Sequence, residues 1–497
     1  MNFARTVIVS FLFVAGVFAP VIVSAATITV EAGDNQGLID AINTANANGE
    51  ETTISLVPDA DGNTEFVFDM PYQSTGSALP VITSPIDIVV VSDVPGEAGR
   101  MTFRRAAGAP EFRAIHFEGM AGNTPSSVHI FDINIVDFSA GTEGGGAILV
   151  SGSGALFLVS ATLAGNDSSG NGGALRATGQ TLVRTVGVRF VDNHANQVGG
   201  SISLEGNSQG QVVSSRFENN RAGVFGCDIN VASGGIGNGF TVLQLQNSIF
   251  EASCNNVTVE NPLGEIEAKG NTFFGTGEAF DSTDIVHVLG NIFDLEPPQP
   301  SSSQGAQGRG APVTKALCND FGIGEFVSLG YNIATVDGCG LDDPTDQVNT
   351  DPGLVIGQDG LPVPGPSSPA IESGASEVVV VDGSELASLP CGYVDMTGLG
   401  RPQDADGDGE FVCDRGAVEM AGTGMVSAGH SGAFYNSARN GEGNYVEILN
   451  DELAVVYTFS YRPDGSGPSW FVGAGEIRGN SIVIDELQRP TGTSFGA

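Results

Sequence analysis

Read for the alternation of apolar and polar positions, the chain is a succession of short β-strands with almost no helix. Segments such as Gln211-Val212-Val213-Ser214-Ser215-Arg216-Phe217 alternate every second residue and are bounded by Gly and Asn, as strands joined by turns are. A helical period of 3.6 shows in one place, from Gln36 to Ala47, in Gln36-Gly37-Leu38-Ile39-Asp40-Ala41-Ile42.

The strands also repeat. Val136, Leu163, Phe190 and Phe217 lie 27 residues apart, Ser139, Asn166, Asn193 and Asn220 follow three positions behind, and the pairs Gly145-Gly146, Gly172-Gly173 and Gly199-Gly200 keep the same interval. A helical repeat would need helix formers at i, i+3 and i+4, and these segments alternate instead, so the unit is the coil of a β-solenoid. Coils stacked about 4.8 Å apart place equivalent side chains over one another. Phe over Phe then fills the interior, and Asn over Asn exchanges amide hydrogen bonds. After Gly226 the motifs Ser248-Ile249-Phe250, Asn271-Thr272-Phe273 and Asn291-Ile292-Phe293 repeat the same corner at intervals of 33, 23 and 20 residues. Coils of changing length are tolerated because extra residues leave as loops, and Pro297 to Gly310 is read as one such excursion. The stretch from Ala26 to about Asn123 is read as an amino-terminal cap that contains the helix.

Composition agrees with this picture. The chain has 497 residues, 71 of them Gly, and only two Lys, Lys269 and Lys315. It is too long for one ordinary compact core and suits an elongated repetitive domain. Arg5, the apolar run Thr6 to Val23 and the small residues Val23-Ser24-Ala25 form a signal peptide over 1–25, an uncleaved anchor being the alternative. The net charge of −39 becomes −40 when Arg5 leaves with the signal. Such a surface repels nucleic acid and anionic lipid, which are bound mainly through Lys and Arg. No 18-residue apolar stretch follows residue 26, so no stable membrane span is expected in the mature chain, and the expected location is secreted or cell surface. Six cysteines in an exported chain predict disulfides. The spacings favour Cys227 with Cys254, Cys318 with Cys339 and Cys391 with Cys413, out of fifteen possible connectivities.

These corners, followed by Ser328-Leu329-Gly330-Tyr331-Asn332-Ile333, Asp351-Pro352-Gly353-Leu354, Pro366 to Gly374, and Arg401-Pro402 with Cys413-Asp414-Arg415-Gly416-Ala417-Val418-Glu419, resemble the bacterial β-helix surface proteins with a choice-of-anchor Q type closing region. The resemblance covers residues 26 to 420. It implies an all-β chain built as a right-handed parallel β-helix, surface-exposed and of no assigned activity. Residues 421–497 hold the single Trp and four of the seven Tyr. They read as strands Tyr445–Leu449, Val455–Tyr461, Ser469–Val472 and Ser481–Glu486. Gly432 to Asn436 and Arg439 to Gly443 are similar to a small antiparallel β module at the carboxy ends of gammaproteobacterial exported proteins, a family without a firm activity.

Five groups of residues carry candidate chemistry. Asp404, Asp406, Asp408 and Glu410, with Gly407 and Gly409 between them, match the first half of a calcium loop, and Asp414 or Glu419 would complete the shell of a structural ion; an acidic turn is the plain alternative. Asp59-Ala60-Asp61-Gly62-Asn63 reads as a turn. Asn166 and Asn256 fit the glycosylation sequon, although stacking explains the Asn row better. In the last module Tyr435, Tyr445, Tyr457, Tyr461 and Trp470 either stack on sugar rings or fill a small core. Finally, a polysaccharide lyase or hydrolase acting on an acidic glycan would need convergent acids beside a base. Asp167, Asp192 and Glu218 lie among Arg176, Arg184, Arg189, Arg216 and Arg221. The leading expectation is a non-catalytic surface or adhesive protein that binds an extracellular glycan or another surface protein.

Overall fold

The computed structural model describes residues 26–91, 100–119, 126–232, 242–252, 255–259, 265–283, 285–296, 318–319, 325–357, 359–375, 380–381, 384–385, 391, 394–405, 410–421, 431–435, 443–450, 453–461, 468–478, 481–484 and 487–489. The expected signal peptide over 1–25 and the expected excursion from Pro297 to Gly310 lie outside them. Among the described residues, no helix is long and apolar enough to cross a membrane.

The chain is an all-β solenoid. One coil runs through Ile202–Gly206, Gln209–Val213, Arg216–Glu218 and Arg221–Ala222, and returns as Ile229–Ala232 on top of its own start, with Ile202 beside Ile229 in parallel register. The first two segments belong to a 17-stranded sheet, the third to a 10-stranded sheet and the fourth to a ladder of four two-residue strands. These sheets make a first, second and third wall and a short fourth side. In two coils the first and second walls are one 12-residue strand, Ile148–Val159 and Leu175–Val186, which is why both walls belong to a single sheet.

Alternation along each strand decides what the coil encloses. On the third wall Phe66, Phe103, Ile135, Leu163, Phe190, Phe217, Phe250, Phe273 and Phe293 are in register and fully buried. From Phe190 onward the rings stack at 4.8, 4.7, 4.7 and 5.4 Å, the spacing of the strands that carry them. The row differs from the periodic reading at its start. Ile135 and not Val136 lies beside Leu163, and Ser139 lies beside Asp167, so that coil holds 28 residues between equivalent positions. Ile and Val are both apolar, and only the alternation of faces tells them apart: a slip by one residue turns the side chain outward.

The stretch from 26 to 123 is also more than a cap. Its strands Ala26–Glu31, Thr52–Val57 and Ile86–Val90 already pair in parallel as the second wall, which continues into Ser126–Phe131. Only the helix Asn35–Asn48 caps. Asp34 accepts the Gly37 amide at its start, Gly49 at φ 66° ends it, and Leu38, Ala41, Ile42 and Ala45 are buried in the common core. An apolar helical face thus covers side chains that would otherwise meet water.

Leu354, Leu361, Ala370, Met396, Ala417 and Val418 of the closing region pack on the outside of the third wall. Ile249, which points outward next to the inward Phe250, is buried with Leu361, Ala417 and Val418, and Ile292 and Ile333 with Ala370. The disulfides Cys318–Cys339 and Cys391–Cys413 form as the spacing predicts, with Cα separations of 4.9 and 6.3 Å. Cys227 is also disulfide-bonded, and Cys254 lies outside the described residues. The last part is a five-stranded antiparallel sheet of Gly432–Tyr435, Gly443–Ile448, Leu453–Tyr461, Pro468–Arg478 and Ser481–Val483.

Candidate functional site

The asparagine rows are structural. Asn166 Nδ2 donates to Asn193 Oδ1 and Asn193 Nδ2 to Asn220 Oδ1, both at 3.0 Å, and each Nδ2 also donates to a backbone carbonyl one coil below. All three side chains are buried, which their amides tolerate because every polar atom is matched by the next coil. Asn256, the other sequon residue, is buried with its Nδ2 on Asp228 Oδ2. A second ladder was not separated from the first by sequence. Asn271, Asn291 and Asn332 join Nδ2 to Oδ1 at 3.0 and 3.1 Å and end on Asp346 Oδ1. These asparagines precede the third-wall strand, whereas Asn166, Asn193 and Asn220 follow it, so they line a different corner. The signal lay in the motif order, Phe-x-x-Asn against Asn-x-Phe.

Of the acids and arginines weighed for catalysis, Glu218, Arg189 and Arg216 pair with one another, whereas Asp167 and Arg176 take other partners. Glu218 Oε1 meets Arg189 at 2.9 Å and Arg216 at 3.0 Å, and Asp167 meets His194 at 2.7 Å on the fourth side. On the first wall Arg176 grips Glu205 through Nε at 2.9 Å and Nη2 at 2.6 Å, while Asn171 and Ser203 also donate to Glu205. Burial raises and these donors lower the Glu205 pKa, and the net direction is down, so it is an ion. His116 lies on the same wall with Nε2 2.9 Å from Ser151 Oγ. Burial and the nearby Arg113 hold its pKa below the ordinary value, leaving the ring neutral. His116 and Ser151 carry no sequence motif, and only the register of the first wall brings them together; Glu205, further along that wall, is held separately by Arg176.

The closing motifs converge on a buried ionic knot. Arg401 Nε lies 3.1 Å from Glu419 Oε2, with both side chains fully buried, and Arg401 Nη2 donates to Gly416 O at 2.8 Å. Asp395 accepts from Thr397, Leu399 and Glu419 amides. Arg415 reaches Asn332 O at 2.8 Å and Ala417 N donates to Thr272 Oγ1 at 3.0 Å, tying the knot to the coils. Burial pushes Asp414 up to about 6 and Glu419 up to about 7, against the opposing pull of amide donors and Arg401.

Asp414, expected at the edge of a calcium loop, is part of this knot, its oxygens accepting from Glu372 N at 2.7 Å and Met420 N at 2.6 Å. Asp404 is half-buried and Glu410 exposed, whereas Asp406 and Asp408 lie outside the described residues. Among the described residues, no three His, Cys, Asp or Glu side chains converge as a metal shell. At Asp59 the carboxylate takes the Asp61 and Asn63 amides at 2.9 and 2.8 Å and the Asn63 side chain at 2.7 Å, the arrangement of a turn.

Tyr445, Phe459 and Trp470 of the last module do not fill a core. Tyr445 pairs with Tyr457 and Phe459 with Trp470 across neighbouring strands, which places all four on one face. Tyr445, Phe459 and Trp470 are 44%, 46% and 42% exposed, while the buried Ala454 and Val456 lie on the opposite face. Tyr445 and Tyr457 have ring centroids 6.2 Å apart, Tyr457 and Trp470 6.4 Å apart. Tyr435 stands on the edge strand, paired with Gly443. The fold thus defines the class, a parallel β-solenoid with an antiparallel module. Comparison with family models, curated proteins and solved structures returns no match to this chain.

Proposed function

We propose that the chain is an exported, non-catalytic surface protein of the choice-of-anchor Q type, whose solenoid presents a carbohydrate-binding module. The observation that carries this reading is the row of Tyr445, Phe459 and Trp470, exposed around the half-buried Tyr457. Flat aromatic faces in water are what a pyranose ring stacks on, and Glu447, two residues from Tyr445 on the same face, offers acceptors for its hydroxyls. The disulfides fit an oxidising exterior. In this reading the 404–410 loop takes a structural calcium through carboxylate oxygens and stiffens the closing region. A glycan array probed with the full chain and with Trp470→Ala tests the module. Binding that survives the substitution unchanged rejects it, and a chelator arm reads the calcium contribution.

A glycan-cleaving enzyme is the second reading. The His116 contact with Ser151, on a wall that also carries Arg176 and Glu205, favours it. It requires new reducing ends or unsaturated sugars from an acidic glycan, abolished in His116→Ala.

A further inference from the structure

The first amide ladder ends on an acid. Asp228 Oδ1 takes the Asn220 Nδ2 hydrogen at 3.0 Å, and its Oδ2 takes one from Asn256 Nδ2. Asp228 is buried at the rung just after Arg221–Ala222, the last strand of the short fourth side. It belongs to a column running Ala147, Ala174, Ser201, Asp228 and Asn256, in which each amide donates to the carbonyl of the next coil at 2.9 to 3.1 Å. Where Asn166 and Asn193 fill the corner, this column carries small Ala and Ser. Where the ladder stops, it carries Asp and Asn.

A carboxylate fits this corner poorly. The groups packed on it are neutral: Asn220 from the third-wall end, Asn256 from the next coil and Ser201 from the one before. Among the described residues the charge acting on it is Glu251, of like sign. Asn256 Oδ1 and Ser201 Oγ are buried without a partner. A neutral carboxyl leaves no unpaired charge in the interior, and its O–H donates to Asn256 Oδ1 after a half-turn of that amide.

We propose that Asp228 is a proton-binding joint between the four-sided and three-sided coils, closed when protonated and loosened when ionised. Burial first, and then the Glu251 charge, raise Asp228 from 3.8 to about 7 against the two amide donors. Between those values the folded chain holds a proton that the unfolded chain has released. Stability from this group is therefore complete below about pH 4, declines as the pH rises to about 7, and is flat above.

Amide hydrogen exchange at pH 5 and pH 8, corrected for the intrinsic rate, tests the joint in the full chain and in Asp228→Asn. The asparagine imitates the neutral acid, since its N–H donates where the carboxyl O–H would. In the unsubstituted chain the amides of Asn193, Ser201 and Ile202 lose protection by roughly tens-fold at pH 8, and those of Ile54 and Ile88 do not. In Asp228→Asn the loss disappears. An equal loss in the variant overturns the proposal. Should Asp228→Asn not fold, NMR of the Asn220 and Asn256 side-chain amides in the unsubstituted chain decides: a titration midpoint near 7 supports the joint, and a midpoint below 5 or none overturns it.

Discussion

The four-sided coils from Ile133 to Ala222 and the three-sided coils from Ile249 to Ala334 bury the same phenylalanine row and line different corners with asparagine. In the first set the amides follow the third-wall strand and close the turn into the short fourth side. In the second, no strand among the described residues stands on that side, and Asn271, Asn291 and Asn332 seal the turn that leads into the strand. Ser215 and Ser248 already occupy that turn in the coils between, accepting the Val188 and Ser215 amides at 3.3 and 3.1 Å. A solenoid can change its cross-section midway provided each buried corner keeps a donor and an acceptor for the next coil.

Removing what the two sets share should do the most damage. Phe217→Ala and Phe273→Ala should each cost about 3 to 5 kcal/mol, because a stacked interior ring has no neighbour free to fill its space. Denaturant unfolding of the two variants checks this, and a cost below 1 kcal/mol would break the claim of a common core. Arg401→Ala should cost a similar amount, about 3 to 5 kcal/mol, by leaving Glu419 buried without its cation. Its effect should be confined to the three-sided coils, read as faster exchange at Ala417 and Thr272 but not at Leu163.

Next come the amides that differ. Asn193→Ala and Asn291→Ala should each cost about 1 to 3 kcal/mol, each leaving the buried side-chain amide of a neighbouring coil without its acceptor. Local exchange should show the damage in the four-sided coils for the first and in the three-sided coils for the second. Equal spread through both would dissolve the distinction. At the bottom of the scale, Arg189→Ala on the outer third wall should change stability by less than about 1 kcal/mol, since its side chain is half in water and Glu218 keeps Arg216.

Much of this was legible in the chain, and the misses have local causes. The Phe row from Leu163 to Phe293 is written in the periods, because an inward position must be apolar in every coil. Ile135 was displaced by one residue since its neighbour Val136 is equally apolar. Both Asn rows were visible as letters, yet they were assigned to one corner, because sequence shows how far Asn stands from Phe and not which way the chain bends there. The aromatic residues of the last module were visible too. Whether they face a core or water depends on which face the neighbouring strands bury, and Ala454 and Val456 take that place.

The sequence by itself determined the strand rhythm, the coil stacking, the neighbour-paired disulfides Cys318–Cys339 and Cys391–Cys413, and the helix that caps the first coil. Each follows from spacing along one chain, where periodicity and local turn chemistry are sufficient. Only the tertiary structure decided that Arg401 meets Glu419, that His116 meets Ser151, and that Asp228 sits buried among amides. Those residues lie 18, 35 and, from Asn256, 28 positions apart. The charge and hydrogen-bonding state of such groups depends on what surrounds them in space, and burial acts on a side chain only after the coils have closed around it.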